Sequence, residues 1–264
     1  MVIYITGGTG QIGMALRKSI SETNAEVVVL SRVQPKLYEN EVFVQFELGD
    51  SIVNSANHKD ITLVHLAHDY SDKHLGTSNI NYRGLLELSK SEITRYIFVS
   101  TPDPLGDNQS VYQKQKRLCV EYLRGETCLI LKPSFIYSER HGANKILYYL
   151  RRLKVRLPIP RNTNCLSPIK LDSMIGLIMV IGIVNWRDGS FLVKGAEDMC
   201  FKDFLEKYHS IKSYYIPDRM IKILLYVLCA LKLDITFYIQ ERIIGIKNLE
   251  EIKLLSKSES VIVI

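Results

Sequence analysis

Residues 6–13 read TGGTGQIG, and this stretch decides the predicted fold of the chain. It follows an apolar strand pattern, VIYI at 2–5. It also opens the segment Gln11–Ser21, whose apolar residues recur with helical spacing. Three glycines at this spacing between a strand and a helix are typical of a dinucleotide-binding turn. A glycine-rich turn without a ligand is the alternative interpretation.

Each glycine of this loop has a separate role in such a turn. Gly7 permits the tight turn, Gly10 lets the backbone approach a pyrophosphate, and Gly13 lets the helix pack closely on the strand. The helix N-terminus then offers free amides and the positive end of its dipole to the phosphates. The predicted cofactor-binding residues of the loop are Gly7, Thr9, Gly10, Gln11, Ile12 and Gly13.

Strand and helix patterns alternate through the first half of the chain. Runs such as EVVVL at 26–30 and ITLVH at 61–65 are typical of strands buried on both faces of a parallel sheet. This alternation predicts an α/β fold, a Rossmann-type doubly wound parallel sheet. After Pro133 the pattern loosens. We therefore expect a Rossmann domain over 1–160 and a smaller C-terminal substrate-binding lobe over 161–264, partly interleaved with it.

The composition excludes several classes of protein. Hydrophobic residues make up 47% and charged residues 23%, as in ordinary globular chains. The net charge of +6 suits an anionic small ligand and is too weak to indicate nucleic-acid binding. Five scattered cysteines lack metal-ligand spacing, so no metal site is predicted, and they favour a reduced, cytoplasmic protein.

Two apolar stretches of the sequence are too short to span a membrane. The segments 174–184 and 220–233 are both shorter than the roughly 20 residues that a spanning helix needs. We predict core helices for both, with attachment to a membrane surface as the alternative for the second. The final residues, SKSESVIVI at 256–264, are expected to be disordered, as chain ends often are.

The end of the second strand decides which dinucleotide fits. An acidic residue at this position binds the 2′-hydroxyl of the adenosine ribose and repels a 2′-phosphate. This chain instead has Ser31 and Arg32, and an arginine forms charge-assisted hydrogen bonds with phosphate. The sequence therefore favours NADP over NAD as cofactor. An arginine that is merely solvated at a strand end is the alternative.

Further motifs follow the glycine loop in a fixed order. They are LGD ending at Asp50, HLAH around Ala67, NINYRG containing Asn81, a strand that leads to Thr101, and YQKQK at 112–116. With the glycine loop, they resemble the extended short-chain dehydrogenase/reductase family, in particular its NAD(P)-dependent epimerases, dehydratases and reductases of nucleotide sugars. The resemblance covers residues 1 to about 200.

The resemblance implies an enzyme with a defined site. Its catalytic residues would be Thr101, Tyr112 and Lys116. Its cofactor contacts outside the glycine loop would be Ser31, Arg32, Asp50, Ser51, Leu66, Ala67 and Lys116. It further implies a nucleotide-sugar substrate, NADP or NAD as cofactor, and a homodimer.

Tyrosine and lysine four residues apart share one helix face. A free tyrosine has a pKa of about 10, and a nearby ammonium favours its phenolate form. Tyr112 can then exchange a proton with a sugar hydroxyl or carbonyl while hydride moves to or from nicotinamide. The alternative is a helix with an exposed lysine and a half-buried tyrosine.

Several residues depart from the family pattern. Pro102 stands where dehydratases carry the first of two adjacent acids, and only Asp103 remains, so dehydration is disfavoured. Phe135 replaces a common substrate-binding asparagine. The basic cluster at 151–156 fits either a diphosphate or a solvated helix face. His65 and His68 flank Ala67, and a structural role is favoured for them over one in the cofactor pocket.

The predicted function is reduction of a nucleotide-linked 4-keto sugar. Two alternatives remain open: a nucleotide-sugar epimerase with tightly bound NAD, and a non-catalytic dinucleotide-sensing regulator. The presence of Thr101, Tyr112 and Lys116 argues against the regulator, because a sensor does not need a catalytic triad.

Overall fold

The structure is a computed structural model and describes residues 1–50, 60–102, 109–138, 156–160, 165–217 and 260–264. Several predictions lie outside these residues. They concern Ser51, Asp103, residues 151–155 of the basic cluster at 151–156, and the apolar segment 220–233.

Strands and helices alternate up to residue 133. The strands are β1 (Val2–Thr6), β2 (Glu26–Ser31), β3 (Glu41–Gln45), β4 (Ile61–His65), β5 (Ile93–Val99) and β6 (Cys128–Pro133). The helices are α1 (Gln11–Ile20), α2 (Ile80–Ser89) and α3 (Val111–Leu123), with a short 3-10 turn at Gly76–Ser78.

The later part of the chain has shorter elements. Its strands are β7 (Phe135–Tyr137), β8 (Leu157–Pro160), β9 (Cys165–Leu166), β10 (Pro168–Lys170), β11 (Gly189–Lys194), β12 (Met199–Cys200), β13 (Ser213–Ile216) and β14 (Ser260–Val263). Its helices are α4 (Leu171–Leu177), a π-helix at Ile178–Val184 and α5 (Phe201–His209).

The main sheet has eight strands in the order β14-β11-β6-β5-β4-β1-β2-β3. Every pairing from β11 across to β3 is parallel. The predicted doubly wound parallel sheet is therefore confirmed. The strand order reverses between β1 and β4, and ligands of such sheets bind at the carboxyl ends of the strands beside this reversal.

The sheet forms because its central strands are apolar on both faces. All five residues of β1 and of β4 are buried, as are all six of β6. Helix α1 buries Leu16 and Ile20, which lie one turn apart on one face. This burial on both sides gives a rigid base for the loops at the carboxyl edge.

The chain divides into two compact units. One contains Met1–Pro133, Leu171–Val193 and Glu259–Ile262, and the other contains Ser134–Lys170 and Lys194–Ser258 with the last two residues. The predicted boundary at residue 160 lies inside the second unit. Within that unit, pairs of short strands surround an aromatic cluster formed by Tyr137, Phe201, Phe204 and their neighbours.

The expected disorder of the final residues is wrong for 260–263. These residues form β14, the outermost strand of the sheet beside β11. The amide of Ile264 also donates to the carbonyl of Lys194 at 2.9 Å. The apolar, β-branched run VIVI pairs with the free edge of β11, and this pairing outweighs the usual fraying of a terminus.

The first apolar stretch is helical, as predicted. Met174, Ile175 and Ile178 are buried, whereas Val180 and Val184 are exposed. Among the helices of the described ranges, none is long and apolar enough to cross a bilayer.

Candidate dinucleotide site

The first and third glycines of the loop lie where only glycine fits. Gly7 has a φ of 68°, and a Cβ there would lie 2.7 Å from the amide nitrogen of Ala67. A Cβ at Gly13 would lie 2.3 Å from the carbonyl oxygen of Gly7. Both contacts are with backbone, which no side-chain rotation can relieve. The tight turn and the close approach of helix to strand therefore both depend on these residues.

The middle glycine faces a more open space. A Cβ at Gly10 would meet the carbonyl oxygen of Gly7 at 3.3 Å and no other described atom within 4 Å. Gly10 is the N-cap of α1, and no side chain of the described residues caps this helix. The first-turn amides therefore remain available to an anion, which the helix dipole also favours. This cradle fits a pyrophosphate.

Thr6 connects the glycine loop to the loop after β4. Its Oγ1 accepts hydrogen bonds from the amides of Leu66 at 3.2 Å and Ala67 at 3.3 Å. The hydroxyl proton of Thr6 is then directed to Nδ1 of His65, 2.9 Å away. Leu66 and Ala67 therefore lie against the glycine loop, where the sequence places two cofactor contacts.

Ser31 and Arg32, at the end of β2, differ in their contacts. The hydroxyl of Ser31 donates to the carbonyl of Val33 at 2.6 Å, so its proton is already used. Arg32 is exposed. Hydrogen bonds from Ser71 hold the pKa of Asp69 below its usual range, and the charge of Arg32 adds to this effect. Arg32 therefore acts electrostatically on the loop after β4.

Asp50 is exposed and closes a turn. One of its carboxylate oxygens accepts from the amide of Glu47 at 2.9 Å, and its own amide donates to the carbonyl of Glu47 at 3.0 Å. Gly49, directly before it, has a φ of 98°. Its contact with adenine stays a prediction.

Helix α3 carries Tyr112 and Lys116. Its start is set by a capping box in which Ser110 and Gln113 each accept a hydrogen bond from the other's amide. Lys116 is 4% exposed, and its Nζ donates to the carbonyl of Val99, the last residue of β5, at 3.0 Å. Burial lowers the pKa of Lys116 to about 8. The ammonium therefore lies at the carboxyl edge of the sheet.

The ring of Tyr112 is held by two aromatic side chains from the loop after β4. His68 meets it edge-on with ring centres 4.6 Å apart, and Tyr70 stacks on it at 5.3 Å. Nζ of Lys116 lies 6.0 Å from the centre of the ring. His68 therefore does more than fill the core, because it contacts the candidate catalytic tyrosine directly.

Neither histidine of this loop is a proton carrier at neutral pH. Burial, and then the charge of Lys116, lower the pKa of both His65 and His68 to about 3. A general acid or base works best when its pKa is close to the working pH. Both side chains are therefore neutral at pH 7.

Asn81 fixes the loop after β4 to both neighbouring helices. Its Oδ1 accepts from the amide of Asp69 at 2.6 Å, and its Nδ2 donates to Oε1 of Gln115 at 3.2 Å. Gln115 in turn donates to the carbonyls of Asp72 and His74, each at 2.9 Å. The role of Gln115 was not predicted. The sequence YQKQK does not indicate that this glutamine is buried and binds the loop, because glutamine is usually exposed on helices.

Thr101 follows the end of β5 and is half-buried. The amide of Ser100 donates to the carbonyl of Leu131 at 2.8 Å, which extends the sheet to this point. The structure therefore places Thr101 at the same carboxyl edge as Lys116.

The strand order, the glycine cradle and the Tyr112–Lys116 pair define the class of the protein as a dinucleotide-binding α/β protein. A model of the NAD dependent epimerase/dehydratase family matches residues 3–168, more than half of the chain. The chain belongs to this family of NAD-dependent enzymes, within the extended short-chain dehydrogenase/reductases. No curated protein sequence matches it.

Solved structures of three different activities share the fold. UDP-glucose 4-epimerase from Thermotoga maritima, solved with UDP-glucose, has a TM-score of 0.65 and 17% identity, over 82% of this chain and 86% of that one. dTDP-glucose 4,6-dehydratase from Bacillus anthracis, solved with NAD, has a TM-score of 0.64 and 14% identity, over 83% and 85%. A dTDP-4-dehydrorhamnose reductase from Clostridium acetobutylicum has a TM-score of 0.63 and 14% identity, over 83% and 85%. At these identities the likeness shows the fold alone.

Substitution of Gly13 and of Gly10 should have different effects on stability and on cofactor binding. Gly13→Ala should lower the free energy of unfolding by about 3 kcal/mol, since its Cβ collides with backbone. Gly10→Val should change that free energy by no more than about 1 kcal/mol but weaken NADPH binding at least about 100-fold, because its side chain occupies the pyrophosphate space. Urea denaturation and NADPH fluorescence titration measure the two effects.

Gly125→Ala is the matched control, because a Cβ at Gly125 meets no atom of the described residues within 4 Å. It should change neither quantity. Unchanged NADPH affinity in a folded Gly10→Val protein would contradict the assignment of the loop.

Burial of neutral His65 makes stability depend on pH. The unfolded chain binds a proton at His65 with a pKa of about 6.5, whereas the folded state binds it only near pH 3. Lower pH therefore favours unfolding, and between these values His65 contributes up to about 1.4 kcal/mol per pH unit. His65→Asn should flatten the fall in unfolding free energy measured by urea denaturation from pH 7 to pH 5.

His74→Gln serves as the control for this prediction, because the His74 side chain is 79% exposed. It should keep the slope of the parent protein. A slope identical in the parent and His65→Asn proteins would show that His65 is not buried as a neutral group.

Proposed function

We propose that this protein reduces a nucleotide-linked 4-keto sugar with NADPH, using Tyr112, Lys116 and Thr101. One observation carries the proposal: the Tyr112 ring is clamped by His68 and Tyr70 beside the buried ammonium of Lys116. A buried lysine next to a fixed tyrosine is the arrangement that proton exchange at a phenol requires.

A bound nicotinamide would supply the hydride chemistry at this site. The chain's own groups handle the proton. Tyr112 gives its phenolic proton to the carbonyl oxygen of the substrate as that oxygen gains charge, and the ammonium of Lys116 stabilises the resulting phenolate. Thr101 donates a hydrogen bond to the same oxygen. The bond from Lys116 to the carbonyl of Val99 keeps the ammonium in place throughout.

Reduction is favoured over dehydration and over epimerisation of the sugar. A dehydratase eliminates water with paired acids, and Pro102 occupies the place of the first. An epimerase returns its hydride in each cycle and keeps its cofactor bound, whereas a reductase draws on the reduced pool, which in cytoplasm is mostly NADPH. Arg32, directly after β2, is exposed and suits a 2′-phosphate, and it therefore supports net reduction.

The stoichiometry of NADPH tests the reaction. Candidate 4-keto nucleotide sugars are supplied with one equivalent of NADPH, and absorbance at the nicotinamide band is followed. One NADPH oxidised per product supports reduction. Formation of a sugar isomer without net loss of NADPH would overturn it and make the epimerase the better interpretation. No reaction with cofactor bound would favour the regulator.

The same assay tests Tyr112. Tyr112→Phe should lower kcat by a factor of about 10² to 10⁴ with NADPH affinity unchanged, because only the proton donor is lost. Tyr122→Phe is the matched control on the same helix, where the hydroxyl bonds Ser89 instead. It should keep the parent kcat.

Arg32 should determine the choice of cofactor. Arg32→Asp replaces attraction to a 2′-phosphate with repulsion, so the ratio of NADH to NADPH dissociation constants should fall by about tenfold or more. Fluorescence titration of both reduced cofactors measures it. Equal binding of the two by the parent protein would show that Ser31 and Arg32 do not select NADP.

A further inference from the structure

A buried ion pair joins the first helix to the third strand. Arg17 on α1 and Glu41, the first residue of β3, have side chains that are 4% and 0% exposed. Nε of Arg17 lies 2.7 Å from one carboxylate oxygen of Glu41, and Nη2 lies 2.5 Å from the other. This is a bidentate arrangement, the geometry in which guanidinium and carboxylate bind most specifically.

The same two side chains bind three backbone groups. Nη1 of Arg17 donates to the carbonyl of Gly8 in the glycine loop at 3.2 Å, and Nη2 donates to the carbonyl of Lys36 at 2.7 Å. Glu41 accepts from the amide of Tyr38 at 2.9 Å. The guanidinium carbon also lies 5.8 Å from the centre of the Tyr38 ring.

These contacts converge on residues 32–40, the β2–β3 segment. The segment has no helix or strand of its own, so its course depends on such anchors. It begins with Arg32, the residue proposed to meet the 2′-phosphate. The ion pair therefore connects the element that would hold the pyrophosphate with the segment that would recognise the ribose.

Stability alone is a poor explanation for this pair. Two buried charges are costly to desolvate, and an apolar pair of similar volume often stabilises a protein equally well. An apolar pair, however, could not hydrogen-bond to the carbonyls of Gly8 and Lys36 or to the amide of Tyr38. It would therefore not hold these three backbone groups at fixed distances from one another. A small displacement of a recognition group is enough to weaken a charge-assisted contact strongly.

We propose that the Arg17–Glu41 pair is a positioning element for cofactor selection, which fixes the β2–β3 segment against the glycine loop so that Arg32 reaches the 2′-phosphate of NADP. This inference rests on the proposed function and extends it to two residues that would not touch the cofactor themselves.

The test replaces the pair by apolar residues in the full chain, Arg17→Met with Glu41→Leu. The Kd for NADPH should rise at least about tenfold, while the Kd for NADH changes less than about threefold, because only the 2′-phosphate contact is lost. The temperature of unfolding should stay close to that of the parent. Hydrogen exchange should show loss of protection at the amide of Tyr38.

Arg117→Met with Glu121→Leu is the matched control, because it makes the same changes at an exposed arginine–glutamate pair on α3. It should leave both dissociation constants unchanged. If the apolar double variant does not fold, Arg17→Lys is measured, since it keeps the charge but loses the planar fork. It should also lower the preference for NADPH.

An unchanged ratio of the two dissociation constants in a folded variant overturns the inference and leaves the proposed function standing. Equal weakening of NADH and NADPH also overturns it, since the pair would then support the whole site without selecting. A parent protein that binds neither cofactor refutes the proposed function itself, and the inference with it.

Discussion

The structure depends on a close approach of backbone to backbone below the glycine loop. The turn after β1 presses against the amide of Ala67, and helix α1 begins so close to it that a methyl group at residue 13 has no space. Thr6 secures the contact with two amides of the loop after β4. Since β1 and β4 are neighbours at the reversal of strand order, this contact fixes the glycine loop against the loop after β4 at the carboxyl edge of the sheet.

Buried polar side chains hold the loops around that edge in place through hydrogen bonds. Asn81 and Gln115 bind the backbone of the loop after β4, and Lys116 binds the end of β5. A buried polar group that is fully hydrogen-bonded makes a structure more rigid, and one that is not is costly. The loops that would contact cofactor and substrate are therefore held by buried, hydrogen-bonded side chains. Such order is suited to chemistry that depends on a fixed proton donor.

The fold and the main motifs could be predicted because their signals are local. A β-branched run, a glycine triplet and a Tyr–Lys spacing each lie within a short window of sequence. The clamp of His68 and Tyr70 on Tyr112 could not be found in this way, nor could the pairing of Arg17 with Glu41. Each joins residues far apart in the chain, and an isolated arginine on a helix is usually solvated. The disorder expected for residues 260–263 was wrong for the same reason, since pairing with β11 cannot be deduced from the terminal sequence alone.

The position of β14 also affects how this protein behaves in a crowded solution. Without it, β11 would be the edge of the sheet and would offer unpaired amides and carbonyls flanked by Phe191, Leu192 and Val193, all now buried. Apolar edges of this kind recruit strands from other molecules and lead to aggregation. A four-residue strand in the outer position leaves a much shorter edge exposed. The last strand thus covers the edge of β11, and a truncation that removes residues 260–263 would uncover that edge.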